Sequence, residues 1–340
     1  MRDADPTSSV TGPGRPLGSD TDIPLLVIDL DASPTMPNEA NALRPKLVIG
    51  HSASTSSPYV DHVDIALTTS DEAGRPWVHV DDLGAALADL SSSVARHPTA
   101  SIVATQVMRT NEGVDATRAL VIESTAYGML QGGSEHVEWL ANERRHARDD
   151  ADLEPDVVVE RSDDALTLTF NRPRRRNAYR ARTRDELVAA LELALLDDTI
   201  TNVHLLGAGS CFGSGGDLSE FGTVHDGATG HLIRSDRNAA HLLSRLGERT
   251  IAYVHGPCYG AGVELSAACS TVIAAPDTTM TLPEVSMGLI PGAGGTWSVP
   301  RRIGRHRATW LAVTGTSIDA ERARQWGLVD DIRAETTFHS

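Results

Sequence analysis

Three glycine-rich segments place groups able to do chemistry at the ends of apolar runs. Phe212-Gly-Ser-Gly-Gly-Asp217-Leu-Ser-Glu follows Val203–Leu206. His255-Gly-Pro-Cys-Tyr-Gly260-Ala-Gly-Val-Glu264 follows Ile251–Val254 and opens onto Leu265–Cys269. Leu282-Pro-Glu284-Val-Ser-Met-Gly-Leu-Ile-Pro291-Gly-Ala-Gly-Gly295 comes third. Glycine between a strand and a helix leaves backbone N–H groups exposed and lets a ligand approach the main chain. Two such turns from different strands could aim two donors at one oxygen, forming an oxyanion hole. Glu264 and Glu284 then stand where acid–base work would need carboxyl groups. Taken singly, each feature has a plainer reading. A glycine turn is often a tight connection, Glu264 a carboxylate favoured by a helix dipole, Glu284 a solvated loop residue, and Arg174, Arg175 and Arg176 a solvated turn. Gly207-Ala-Gly209 opens like a dinucleotide fingerprint, but the third glycine is misplaced and no helix follows.

The elements that must hold these segments are legible in outline. Strands are expected near 156–160 and 165–170, followed by the turn Asn171-Arg-Pro-Arg-Arg-Arg-Asn-Ala-Tyr. A helix comes next, signalled by Thr183-x-x-Glu186 as a capping box and by Leu187, Leu191 and Leu195 on one face. Strands near 203–206, 251–255 and 271–275 alternate with helical stretches, so this half is α/β. Upstream, residues 25–30 and 63–69 read as strands, and 80–95 and 115–145 carry helical spacing, for example Leu83, Ala86, Leu87 and Leu90. Residues 1–22 have the composition of a disordered tail, and the charged stretch 143–156 that of a linker.

Composition narrows the function. The 340 residues suggest about two domains, 40% are hydrophobic, and the net charge is −16 with both halves acidic. Phosphate backbones and anionic membranes would be repelled, so neither a nucleic acid nor a membrane is an expected partner. Lys46 is the only lysine. That excludes a P-loop and a Tyr-x-x-x-Lys reductase pair, and leaves a Schiff base no promising nucleophile. Three cysteines make a disulfide framework unexpected, and Cys211 and Cys258 read as packing residues. The thirteen histidines show no tight ligand spacing, so no metal is expected; His225 and His231 read as solvated loop residues. No run reaches the roughly 18 apolar residues of a membrane span, and the first residues lack a signal-peptide core, so the expected location is the cytoplasm.

In order, content and spacing, these motifs resemble the crotonase (enoyl-CoA hydratase/isomerase) superfamily. The likeness covers about residues 156–332. It includes N-R-P-x-x-x-N-A at 171–178, F-x-x-G-x-D at 212–217, G-x-x-x-G-x-G-x-E at 256–264 and P-E-x-x-x-G-x-x-P-G-A-G-G at 283–295. LAVTG at 311–315 and D-A-x-x-A-x-x-x-G-L-V at 319–329 complete it. The resemblance implies an α/β, crotonase-like (ClpP/crotonase) spiral of repeated ββα units, carrying an extra α/β region over 23–150 and a shortened C-terminus.

It also implies roles. The N–H groups of Gly216 and Ala261 would form an oxyanion hole for an acyl-CoA thioester. Glu264 would position and activate water, and Glu284 would handle the α-proton. Arg174, Arg176, Ala178, Ser214, Gly215, Asp217 and Leu218 would bind substrate or its CoA moiety. No separate cofactor is needed, because coenzyme A is part of the substrate. The expected activity is hydration of a 2-enoyl-CoA in fatty-acid or related acyl-CoA metabolism, by a homo-oligomer, trimer or hexamer. An enoyl-CoA isomerase and a non-catalytic acyl-CoA-binding protein are the alternatives. Trp297 stands where many hydratases carry a polar residue, which would alter the pocket. Relatives continue past G-L-V as helices that close the acyl pocket. Residues 23–150 are therefore expected to dock on the core and take over part of that cover.

Overall fold

The computed structural model describes residues 24–32, 45–71, 73–143, 154–224 and 226–334; the tail over 1–22 and most of the expected linker lie outside them. The first half opens with β1 (Leu25–Asp29), β2 (Leu47–His51), β3 (Ile65–Thr68) and β4 (Val78–His79), paired in that order as one parallel sheet. Leu47–Ile49 and Ile65–Leu67 are buried throughout, the continuous apolar run of a strand covered on both faces. Four helices follow: α1 (Leu83–Arg96), α2 (Pro98–Thr110), α3 (Ala116–Gln131) and α4 (Ser134–Asn142). Asp82 caps α1 and Asp115 caps α3, each accepting a first-turn N–H at 3.0 and 3.1 Å. The expected helical stretch over 115–145 is broken at Gly132-Gly133, and α2, which opens on Pro98 at its first position, was not expected.

The second half runs β5 (Val157–Ser162), β6 (Ala165–Phe170), α5 (Ala181–Leu196), β7 (Asn202–Gly207), α6 (Gly227–Asp236), α7 (Ala239–Leu246), β8 (Thr250–Val254), β9 (Pro257–Tyr259) and α8 (Ala261–Ala268). It continues with β10 (Thr271–Ala274), β11 (Thr279–Thr281), α9 (Gly295–Ile303), α10 (Arg305–Thr314), β12 (Ile318–Asp319), α11 (Ala320–Trp326) and β13 (Asp331–Ile332). Each turn of this spiral lays one strand in a large sheet, ordered β13-β10-β8-β7-β6-β5, then a short stretch in a second ladder, then a helix. Parallel bridges Tyr179↔Gly216 and Ser214↔Tyr259, with β9 beside β11, carry the second ladder across four turns. Gly216, Ala261 and Glu284 thus come from three successive turns, at the same point where ladder gives way to helix or loop.

Buried polar contacts hold these turns. Asn177, with φ +54°, accepts the Arg172 N–H at 2.9 Å and donates to the carbonyls of Ala208 and Cys211 at 2.9 and 2.8 Å. The capping box expected at Thr183 and Glu186 does not form. Helix α5 begins two residues earlier, Thr183 donates its hydroxyl to Asp156 at 2.7 Å, and Glu186 accepts the Val157 N–H at 2.9 Å. Asp156, placed by sequence at the end of a linker, is instead buried and receives Arg180 on both oxygens at 2.7 Å.

The two halves share one hydrophobic core, running from Leu47 and Met108 through Leu191 to Val329. Helix α10 packs against α2, α1 and β3, and α3 packs against α6 and α9. At the start of α10, Arg305 donates to the carbonyls of Val63 and Asp61 at 2.7 and 2.6 Å and to Glu112 at 2.8 Å. Arg307 donates to the Trp77 and Ala73 carbonyls at 2.9 and 3.2 Å. Residues 45–143 therefore dock on the core within this chain. A fragment starting at Asp156 should expose the apolar faces of α9 and α10. Size-exclusion chromatography should find it aggregated or altered in oligomeric state, and a soluble fragment with the parent's state and a cooperative melt would contradict the docking. In the full chain, Arg307→Ala strands the buried Trp77 carbonyl and frees the part-buried Ala73 carbonyl, and denaturant unfolding should register a loss of about 1–3 kcal/mol.

Candidate active site

Gly216, Ala261, Glu264 and Glu284 line a single cavity of about 220 Å³. The parallel bridge explains the first of these. Tyr179 donates to the Gly215 carbonyl at 2.8 Å and accepts from the Asp217 N–H at 2.9 Å, so the N–H of Gly216 faces away from that ladder. Ala261 is the first residue of α8, where no intrahelical acceptor exists for its N–H. Among the described residues neither N–H has an acceptor. Two open backbone donors from different turns thus face one space, an arrangement suited to a developing oxyanion.

Both carboxyl groups are held close to these donors. Gly260 adopts φ +46°, and a Cβ there would lie 2.4 Å from Glu284 Oε1. The Glu284 carboxyl therefore sits against the backbone one residue before Ala261, at a position only glycine can fill. Its Oε2 is buried and has no hydrogen-bond partner among the described residues. Glu264, in the first turn of α8, accepts the N–H groups of Ala293 and Gly295 on Oε2 at 2.6 and 2.8 Å. A third carboxyl lies beside them. Glu123 of α3, also buried, accepts the N–H groups of Gly294 and Thr296 at 2.7 and 2.9 Å and the Thr296 hydroxyl at 2.7 Å. Four consecutive N–H groups leading into α9 are thus shared alternately between Glu264 and Glu123.

Burial sets the protonation of this cluster. It pushes Glu284 up to about 8 and Glu123 up to about 7, and lifts Glu264 well above the usual carboxyl range. The negative charges of Glu284 and Glu123 raise Glu264 further, while its two backbone N–H bonds pull it down. The three groups lose protons in steps that belong to the cluster, so it keeps at least one proton near neutral pH. A carboxyl group whose proton is held this way can donate it and, once ionised, take one up.

Helix α3 contributes more than Glu123. Tyr127 and Gln131 line the cavity, and a Cβ at Gly292 would lie 2.4 Å from the Tyr127 ring, so this glycine admits the tyrosine to the site. Sequence reasoning missed all three residues. The signal was present in the spacing of Leu120, Glu123, Tyr127 and Leu130, which puts a carboxyl on the core-facing side of a helix.

A family model for enoyl-CoA hydratase/isomerase matches residues 160–340. The 2,3-dehydroadipyl-CoA hydratase of Escherichia coli is 36% identical over 177 residues, 52% of this chain and 69% of that protein. The chain belongs to the enoyl-CoA hydratase/isomerase family. The 4-chlorobenzoyl coenzyme A dehalogenase-2 of an Arthrobacter species is 30% identical over 54% of this chain and 68% of its own length, so the family spans several reactions. Among solved structures, the enoyl-CoA hydratase from Thermoplasma volcanium matches with a TM-score of 0.50 and 30% identity, over 54% of this chain and 73% of that one. The crotonase fold expected from the motifs is the fold observed.

The remaining expected residues fall outside the cavity lining, except Asp217, whose carboxylate is occupied by Arg172 at 2.9 Å and the Ser219 hydroxyl at 2.7 Å. Arg172 also donates to the Ala178 carbonyl, so this buried arginine braces the turn. Arg174 and Arg176 are exposed on that turn and form no ion pair among the described residues. Ser214, Gly215 and Leu218 lie on the adjoining segment, with the Ser214 hydroxyl 3.5 Å from the Arg175 carbonyl. Trp297 does not line the cavity; it lies under the Arg301 guanidinium at 5.0 Å. His231 is a residue of α6 bonded to Ser124 at 3.0 Å rather than a loop residue, and His225 lies outside the described residues. Cys211 and Cys258 are buried, and burial raises both thiols. Among the described residues no group of three or more His, Cys, Asp or Glu is arranged to hold a metal, and no helix is long and apolar enough to cross a membrane.

The buried carboxyls affect stability as well as chemistry. An acid whose pKa rises on folding holds its proton more tightly in the native state, so native stability falls as pH climbs from the ordinary value of 4.5 through about 8 and does not recover above it. Glu284→Gln removes that contribution. The variant should gain on wild type by a few kcal/mol between about pH 5 and about pH 9, measured by denaturant unfolding, the gain growing with pH. A difference independent of pH would show that Glu284 ionises as it does in water.

Proposed function

We propose that this chain is an enoyl-CoA hydratase, adding water across the 2,3 double bond of a 2-enoyl-CoA thioester. The observation that carries the reading is the meeting of Glu264 and Glu284 with two open N–H groups in one cavity. Family membership supports an acyl-CoA substrate, and the 2,3-dehydroadipyl-CoA hydratase is among the relatives that retain two thirds or more of their length in the match.

The chemistry follows from the geometry. The thioester carbonyl oxygen accepts from the N–H groups of Gly216 and Ala261. Water attacks the β-carbon, the double-bond electrons move toward the carbonyl, and the two donors stabilise the enolate oxygen. The N-terminus of α8 adds to that field. Glu264, held by two backbone donors, orients the water and takes its proton. Glu284, kept protonated by burial beside Gly260, delivers a proton to the α-carbon. No metal or separate cofactor takes part. A cytoplasmic homo-oligomer is the form proposed. The Arg174–Ala178 turn, outside the cavity, would hold the nucleotide of CoA, with guanidinium groups suited to its phosphates.

A panel of 2-enoyl-CoA thioesters, followed by loss of conjugated-thioester absorbance, tests the reading. Wild type should hydrate several members, and Glu264→Gln and Glu284→Gln should each be slowed at least ~10²-fold. Rapid conversion of a 3-enoyl-CoA to its 2-enoyl isomer without hydration would instead make the protein an isomerase, and tight acyl-CoA binding without turnover would make it a binding protein.

Ala261→Pro probes the oxyanion hole separately. Proline is tolerated at the first position of a helix, and it removes the N–H donor and puts a ring methylene in its place. The variant should melt close to wild type while kcat falls about 10²–10³-fold; unchanged kcat would remove Ala261 from the reaction.

A further inference from the structure

Beyond the glutamates, the cavity wall is cationic. Arg180, Arg184, Arg234 and Arg237 line it, although the chain as a whole carries a net charge of −16. Arg180 is neutralised by the buried Asp156. Arg184 and Arg237 share a single carboxylate, Asp185, at 2.8 and 3.4 Å, and Arg237 also approaches the exposed Asp236 at 3.4 Å.

Arg234 has no carboxylate within 4.0 Å among the described residues. Its guanidinium donates to three neutral acceptors, Ser124 Oγ, the Ser124 carbonyl and Gln131 Oε1, at 3.1 to 3.2 Å, and lies 4.6 Å over the Tyr127 ring. Of its five N–H groups, two remain. Burial works against its charge and so does the nearby Arg184, while Tyr127 and the buried Glu123, the latter beyond ion-pair distance, favour it. A guanidinium stays protonated all the same, and a half-buried charge with no carboxylate in contact is costly.

The carboxyl groups lining the cavity do not supply the missing anion. Asp217 is paired with Arg172, Glu220 accepts the Ala181 N–H at 2.8 Å, Glu264 is held by the N–H groups of Ala293 and Gly295, and Glu284 sits against Gly260. The phosphates of CoA are assigned above to the exposed turn at 174–178, outside this cavity.

We propose that the acyl group accepted here ends in a carboxylate, which binds Arg234 with Arg184 and Arg237 reinforcing the field. The proposed substrates are therefore dicarboxylic enoyl thioesters rather than plain fatty enoyl thioesters. The inference rests on the hydratase reading for its chemistry, but the charge of the wall is independent of the reaction catalysed.

The test uses the full chain and pairs of 2-enoyl-CoA thioesters of equal length, one ending in a methyl group and one in a carboxylate. Wild type should favour the carboxylated member at least about tenfold in kcat/KM, and Arg234→Met should bring that ratio close to one. Arg234 also ties α6 to α3, so Arg237→Gln is made in parallel, with a smaller fall in the ratio expected. Turnover of both members without preference, or with preference for the methyl-ended one, overturns the inference and leaves the hydratase reading standing. A ratio that survives Arg234→Met in a folded protein also overturns it. If neither thioester turns over, the hydratase reading has failed, and calorimetry with the saturated thioester pair decides the inference. Tighter binding of the carboxylated member, lost in Arg234→Met, supports it; equal binding refutes it.

Discussion

The stretch Ala293–Thr296 enters α9 with four backbone N–H groups that no helix can satisfy, and two buried carboxyl groups take them up in alternation. Glu264 comes from the spiral core and Glu123 from the preceding helical region. Each oxygen that receives an N–H is withdrawn from water, so hydrogen bonding and burial act on the same atoms in opposite senses. Burial prevails, and both carboxyls are held above their ordinary range, Glu123 at about 7. The position of the α9 entry, the orientation of Glu264 and the protonation of the site are consequences of one arrangement.

This arrangement explains why the accessory helices cannot be regarded as decoration. Tyr127 reaches the cavity because Gly292 leaves room for its ring, and Glu123 reaches the α9 entry because Leu120 and Leu130 fix its helix face in the core. The cavity is walled by elements from both halves of the chain, and its chemistry is distributed in the same way. The spiral contributes the two open backbone donors and two carboxyls, while α3 contributes the third carboxyl and the aromatic surface beneath Arg234.

The spiral was legible in sequence because its signals are local. A run such as Ile251–Val254 followed by glycines, and a glutamate a fixed number of residues later, specify strand, turn and helix within one window, and the ordered series of turns identified the fold. What escaped depends on partners far along the chain. Glu123 reads as one acid among many until the N–H groups of 294 and 296 are placed beside it. Arg305, His306 and Arg307 carry no local mark of burial, yet all three are buried against carbonyls of the first half. Thr183 and Glu186 had cap spacing, but a buried Asp156 competed for the hydroxyl. Residues 98–110, rich in Thr and Ser and opened by Pro, gave weak periodicity although proline suits that first position.

The bonds from Arg305 and Arg307 join residues 230 to 244 positions apart. Loop closure over such spans has to be achieved before any contact rewards it, and chains dominated by distant pairings fold slowly. Synthesis proceeds from the N-terminus, so β1–β4 and α1–α3 emerge long before the helix whose arginines satisfy their carbonyls exists. During that interval the first half must persist with apolar surface uncovered, the condition under which nascent chains aggregate or engage chaperones. Joining the two halves through α10 therefore ties the maturation of the first half to the later translation of that helix.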